Sequence, residues 1–112
     1  MSSMHPPLDL SSMQAAAANA CDLLKVLANP DRLLVMCRLT QGELSVGELE
    51  AQLNIRQPTL SQQLAVLREK GLVSARRDGK NIFYTVASAQ ALAVMAVLYQ
   101  QFCTDTRDDL AR

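Results

Sequence analysis

The sequence predicts a mainly α-helical domain with one small β-hairpin, a winged helix-turn-helix that dimerises through its first and last helices. Three observations lead there. Residues 45–53 (SVGELEAQL) and 57–71 (QPTLSQQLAVLREKG) are two short helical segments joined by a tight turn. LVSARR and NIFYTV flank DGK directly after them, the turn chemistry of a β-hairpin. Alanine- and leucine-rich segments bracket this unit on both sides. The chain of 112 residues, 49% hydrophobic, has room for one domain with its own core. We place that domain at residues 11–104, between a loose arm at 1–10 and a polar tail at 105–112.

Taken in order, Ser11 or Ser12 is a good capping residue, and SMQAAAANACDLLKVLAN should form a helix ending near Asn29. Asn29-Pro30-Asp31 sets a capping side chain before a first-turn proline, so a second helix should run from Pro30 to about Thr40, stopped by Gly42. Ser45 opens a short third helix in which Val46, Leu49 and Leu53 recur at helical spacing. Asn54-Ile55-Arg56 is the tight turn. The fourth helix has Pro58 near its start, Leu60, Leu64 and Leu67 on one face, and Gly71 as its stop. After the hairpin, AQALAVMAVLYQQFC, residues 89–103, has no charged residue and too many apolar positions for a helix with a single buried stripe. With the first helix it should form a two-fold interface, which sets two reading helices on successive turns of a pseudo-palindromic site. A membrane-surface helix would want Lys or Arg there.

No apolar run approaches the roughly 20 residues of a membrane span, and MSSMHPPLDL lacks the basic start and hydrophobic centre of a secretory signal. A cytoplasmic protein with no membrane partner is therefore expected. Its net charge of zero conceals an uneven distribution: residues 56–80 hold six of the eleven basic residues but two of the eleven acidic ones. One basic segment on an acidic body is the electrostatic footprint of a nucleic-acid partner.

With the leucines turned inward, the fourth helix offers Gln57, Thr59, Ser61, Gln62 and Gln63 to the outside, short polar and amide groups suited to base edges and phosphates in the major groove. A merely solvated face is usually richer in Lys and Glu, whereas nothing from Gln57 to Leu67 is charged. Arg68 follows on the same helix. Arg76, Arg77 and Lys80 surround the hairpin tip, where long cations would add salt-dependent affinity for the phosphate backbone. Any one of them alone is also consistent with the protection of a soluble sheet edge, but their position straight after a helix-turn-helix favours double-stranded DNA.

Three cysteines, Cys21, Cys37 and Cys103, form no disulfide framework in a reducing compartment; they are buried small hydrophobes, ligands or redox-reactive thiols. Taken by itself, Cys37, inside the apolar run VMCRL, reads best as core filler. No catalytic residue or cofactor is predicted, because the only histidine, His5, lies in the arm and no other base stands ready for a thiol enzyme.

The order of helix, LANPDRLLVMCRL, ELSVGELEAQLNIRQPTLSQQLAVLREKGLV and basic hairpin resembles the ArsR/SmtB family of winged-helix repressors over roughly residues 15–103. That resemblance implies a dimer that binds operator DNA and releases it when an inducer binds. The arsenic- and cadmium-type members place thiolates in a pattern like ELCVCDL; here ELSVGEL has Ser45 and Gly47, neither a soft sulfur ligand. The zinc-type members use Asp, His and Glu on the last helix, which has none of them through Cys103. No metal site is expected from either pattern. The strings GELSVGELE, QPTLSQQL, VLRE and LYQQFC resemble the biofilm growth-associated repressor subgroup, which responds to sulfide-derived sulfane sulfur through two cysteines. The resemblance implies that Cys37 and Cys103 are sensing thiols and that persulfide or polysulfide is the inducer. Two other readings stay open: peroxide sensing by the same cysteines, and a thiolate metal site formed by Cys21, Cys37 and Cys103.

Overall fold

A computed structural model describes residues 9–104. Most of the arm expected at 1–10, with His5, and all of the tail expected at 105–112 lie outside the described residues. The first helix, α1 (Leu10–Leu27), starts slightly earlier than expected, because the Asp9 carboxylate, not a serine, accepts the Ser12 amide at 2.8 Å. That hydrogen bond holds the Asp9 carboxyl below its usual pKa. The helix stops at Leu27, short of Asn29, since Asn29 is extended and already engaged: its side chain accepts the Arg32 amide at 3.0 Å and caps α2 (Pro30–Leu39).

A two-residue strand, β1 (Leu44–Ser45), follows, and Ser45 then caps α3 (Val46–Leu53). The cap is a reciprocal box: the Glu48 amide donates to Ser45 Oγ at 3.1 Å, and the Ser45 amide donates to Glu48 Oε1 at 2.8 Å. Asn54, at φ +57°, reverses the chain in the left-handed region that asparagine tolerates better than most side chains. Next come α4 (Gln57–Glu69), β2 (Val73–Asp78) and β3 (Asn81–Val86). The loop between β2 and β3 is only Gly79-Lys80, with Gly79 at φ +65°, where a side chain would be strained. The sequence predicts a two-stranded hairpin. The sheet has three antiparallel strands in the order β1-β3-β2, with Leu44 opposite Tyr84 and Ser45 opposite Phe83. Two residues are too few to show a strand period; β1 exists because the free edge of β3 lies beside it.

Ser88 accepts the Ala91 amide at 3.0 Å and opens α5 (Ala89–Tyr99), which widens at its end into a π-helical turn, Gln100–Thr104. The core forms where α2, α3 and α4 meet the sheet, with Val35, Met36, Leu49, Leu60, Leu64 and Leu67 fully buried. Each of these leucines stabilises the fold by about 1.5–3 kcal/mol relative to exposure. The outer helices behave differently. α1 buries only Val26 and Leu27, α5 only Ala91 and Met95, and Leu10, Met13, Leu24, Leu92, Val97 and Tyr99 stay exposed in the single chain. The radius of gyration is 16.6 Å, well above the ~13 Å of a compact domain of about this length.

Candidate functional site

Two regions gather the residues expected to act. The first is the outer side of α4 with the wing. Gln57, Ser61, Gln62 and Arg68 are exposed along α4, and Thr59 is half-buried. Gln63 lies apart from them: half-buried, its Oε1 accepts from Arg32 Nη1 at 2.9 Å, while Arg32 Nε donates to the Val26 carbonyl at 2.6 Å. Arg32 thereby joins the end of α1, the start of α2 and the middle of α4. Its partner on α4, Gln63, lies 31 positions away, so the sequence gives no sign of the contact. Between α4 and the sheet, Ser61, Ala65, Arg68, Glu69 and Tyr84 line a crevice of about 370 Å³. Tyr84 is a further unpredicted member; only the pairing of β3 with both its neighbours brings it there.

The three wing cations are not equivalent. Arg76 is clamped to Glu43, with Nε to Oε2 at 2.9 Å and Nη2 to Oε1 at 2.7 Å, and lies over the Phe83 ring, 4.8 Å from its centre. The pair holds the Glu43 carboxyl below its usual pKa and raises that of Arg76. Arg77 and Lys80 are exposed and take part in no ion pair among the described residues. Strand alternation puts Arg77 on the same sheet face as Ala75 and Tyr84, the face turned to α4, and Arg76 on the opposite face.

The second region lies between α2 and the end of α5. Cys37, half-buried on α2, and Cys103, exposed on the π turn, line one apolar groove of about 550 Å³ together with Leu33, Leu34, Met95 and Leu98. They are neighbours despite the 66 positions that separate them. Burial raises the pKa of Cys37, the charge of Cys103 raises it further, and Arg38 opposes both. The Arg38 guanidinium itself is turned toward Gln52 on α3 and Gln41. Cys21 is exposed on α1 and is not part of the groove. Among the described residues no three His, Cys, Asp or Glu side chains cluster as a metal site would require.

The model of the bacterial regulatory protein, arsR family, matches residues 29–75, the stretch from the Asn29 cap to the start of the wing. The biofilm growth-associated repressor of Agrobacterium fabrum is 52% identical, over 89% of this chain and 90% of that protein. The chain belongs to the ArsR family. It is accordingly a DNA-binding transcriptional regulator and not an enzyme, and its mainly helical fold with a three-stranded wing is the winged helix-turn-helix expected. Among solved ArsR-like structures, the transcriptional repressor BigR from Xylella fastidiosa superposes with a TM-score of 0.79 at 49% identity, over 86% of this chain and 98% of that one. A homodimeric winged helix-turn-helix domain from Mycobacterium bovis gives 0.69 at 29% identity, over 93% of each chain. No described helix of this ArsR protein is long and apolar enough to cross a membrane.

Proposed function

We propose that the protein is a cytoplasmic, homodimeric repressor that holds operator DNA in its reduced form and releases it when Cys37 and Cys103 are joined by sulfane sulfur chemistry. The observation that carries this reading is the shared groove: two thiols on different elements open into one apolar space, and among the described residues no third ligand joins them. Exposed Cys103 takes the first step. Its thiolate attacks the outer sulfur of a persulfide RSSH, leaving Cys103–S–SH and releasing RS⁻. The Cys37 thiol loses its proton and attacks the inner sulfur, so that a Cys37–Cys103 bridge forms and HS⁻ departs. The sulfane sulfur is the oxidant, and it leaves as hydrosulfide. When a polysulfide supplies more sulfur, the bridge retains it, and each inserted atom adds about 32 Da.

Closing the bridge ties the π turn to α2. Because α2 carries Arg32, linked to Gln63 on α4, and Arg38, linked to Gln52 on α3, a shift of α2 reaches both helices of the reading unit. The bound and free states then differ in the angle between the two reading helices, and only such a difference moves the equilibrium. On the DNA side, Gln57, Thr59, Ser61 and Gln62 face base edges, Gln63 joins them if it leaves Arg32, and Arg68, Arg77 and Lys80 take phosphates, with Arg76 in a lesser part. The homodimeric relative and the exposed apolar faces of α1 and α5 support pairing through those helices.

The test is operator binding by wild type, Cys37→Ser and Cys103→Ser, each with and without polysulfide. Wild type should lose about 5–150-fold in affinity on treatment, and both variants should keep theirs. A doubly substituted protein that still releases its operator ends the reading. Bridging by peroxide but not by polysulfide would turn it into a general redox sensor, and release by thiophilic metal that depends on Cys21 into a metal-responsive one.

A further inference from the structure

We propose that the groove between α2 and the end of α5 is a binding site for the organic tail of the sulfur donor, and that it selects uncharged alkyl persulfides over anionic ones. This rests on the reading of Cys37 and Cys103 as the reacting pair. The groove has the volume of a small-molecule pocket, about 550 Å³. Apart from the thiols and the Tyr99 phenol, its walls are hydrocarbon and thioether: Pro30, Leu33, Leu34, Met95, Leu98 and Phe102. Among the described residues no charged side chain lines it. The cations next to its lining residues in sequence, Arg32 and Arg38, are engaged outside it, Arg32 with the Val26 carbonyl and Gln63 and Arg38 with Gln52 and Gln41. A donor tail with carboxylates, such as glutathione's, would have to leave part of its hydration at the mouth without gaining a counterion. An alkyl tail loses nothing polar. Lying along the groove, it carries its sulfane sulfur to Cys103 at the rim, with Cys37 half-buried below to close the bridge as RS⁻ and then HS⁻ leave.

The alternative occupant is an apolar helix of a second copy, and the same experiment separates the two. The reduced full-length protein is mixed with ethyl, butyl and hexyl hydropersulfides and with glutathione persulfide, and bridge formation is timed by intact mass. A small thiol peptide serves as the reference for intrinsic donor reactivity. Relative to that peptide, the rate at sub-saturating donor should rise with chain length, by up to about fourfold for each methylene fully buried, and hexyl should exceed glutathione persulfide at least tenfold. In Leu34→Lys, which places a cation at a position 47% exposed and outside the core, the order should narrow or invert. A bridge that forms equally fast with every donor overturns the groove as a tail site but leaves the thiol pair standing. A protein that forms no bridge with any donor overturns both.

Discussion

The fold alters the chemistry of Cys37. Burial and the neighbouring Cys103 push its thiol above the ordinary range, and Arg38 pulls it partly back. Only the thiolate attacks, so the rate of bridge closure should climb with pH through the ordinary thiol range and level off only above it. In Arg38→Gln the levelling-off should move higher still. Quenched mixing with mass detection measures this, and a plateau at the ordinary thiol pKa would show that another group closes the bridge. The wing offers a second residue-scale contrast. Arg77→Ala and Lys80→Ala should each lower the salt slope of operator binding by about one. Arg76→Ala should lower it much less, since Glu43 already neutralises that cation. Equal slopes for all three would remove the distinction. Sequence could group these three cations because they are neighbours along the chain. It could not separate them, because Glu43 lies 33 positions away.

At the scale of elements, local chemistry made most helices legible. Asn29, Ser45 and Ser88 cap their helices through their own side chains, and Leu60, Leu64 and Leu67 are buried because their spacing leaves them on one face. The strand β1 and the π turn were not legible. A π turn gains no periodic signature from an uncharged segment, yet it changes the direction in which Cys103 leaves the helix, and such turns often occur at functional sites. The link from α2 to α4 belongs to this scale too. In Arg32→Ala the bridge should form at the wild-type rate, while the ratio of operator dissociation constants between bridged and reduced protein falls toward one. Gln63→Ala should behave alike, and the double variant should add little, as expected for two partners in one contact. Fluorescence anisotropy with reduced and bridged samples reads the ratio. An unchanged ratio would mean that α2 moves the reading helix by another route.

For the molecule as a whole, the single chain leaves its outer helices largely uncovered. α1 exposes every residue from Leu10 to Asp22, and α5 presents Leu92, Val97 and Tyr99 outward. Exposed apolar surface on this scale marks an interaction site, and in the proposed pair a second copy supplies the same faces. Leu92→Glu combined with Val97→Glu should split the pair in sedimentation and reduce operator affinity by about a thousandfold, toward the value of non-specific binding. Tight operator binding by a monomeric double variant would contradict a two-fold reader.

By itself the sequence determined the helices, the Asn29 and Ser45 caps, the buried leucine face of α4, the hairpin and the basic segment, because each depends on residues within one or two turns of each other. Resemblance to a known family supplied the pairing of Cys37 with Cys103. Tertiary structure alone decided that those thiols share an apolar groove, that Arg32 holds Gln63, that Glu43 holds Arg76, and that β3 gains a third strand at its edge. Each of these joins residues distant along the chain, and such contacts arise only when packing removes their apolar neighbours from water and brings the polar groups within hydrogen-bonding reach.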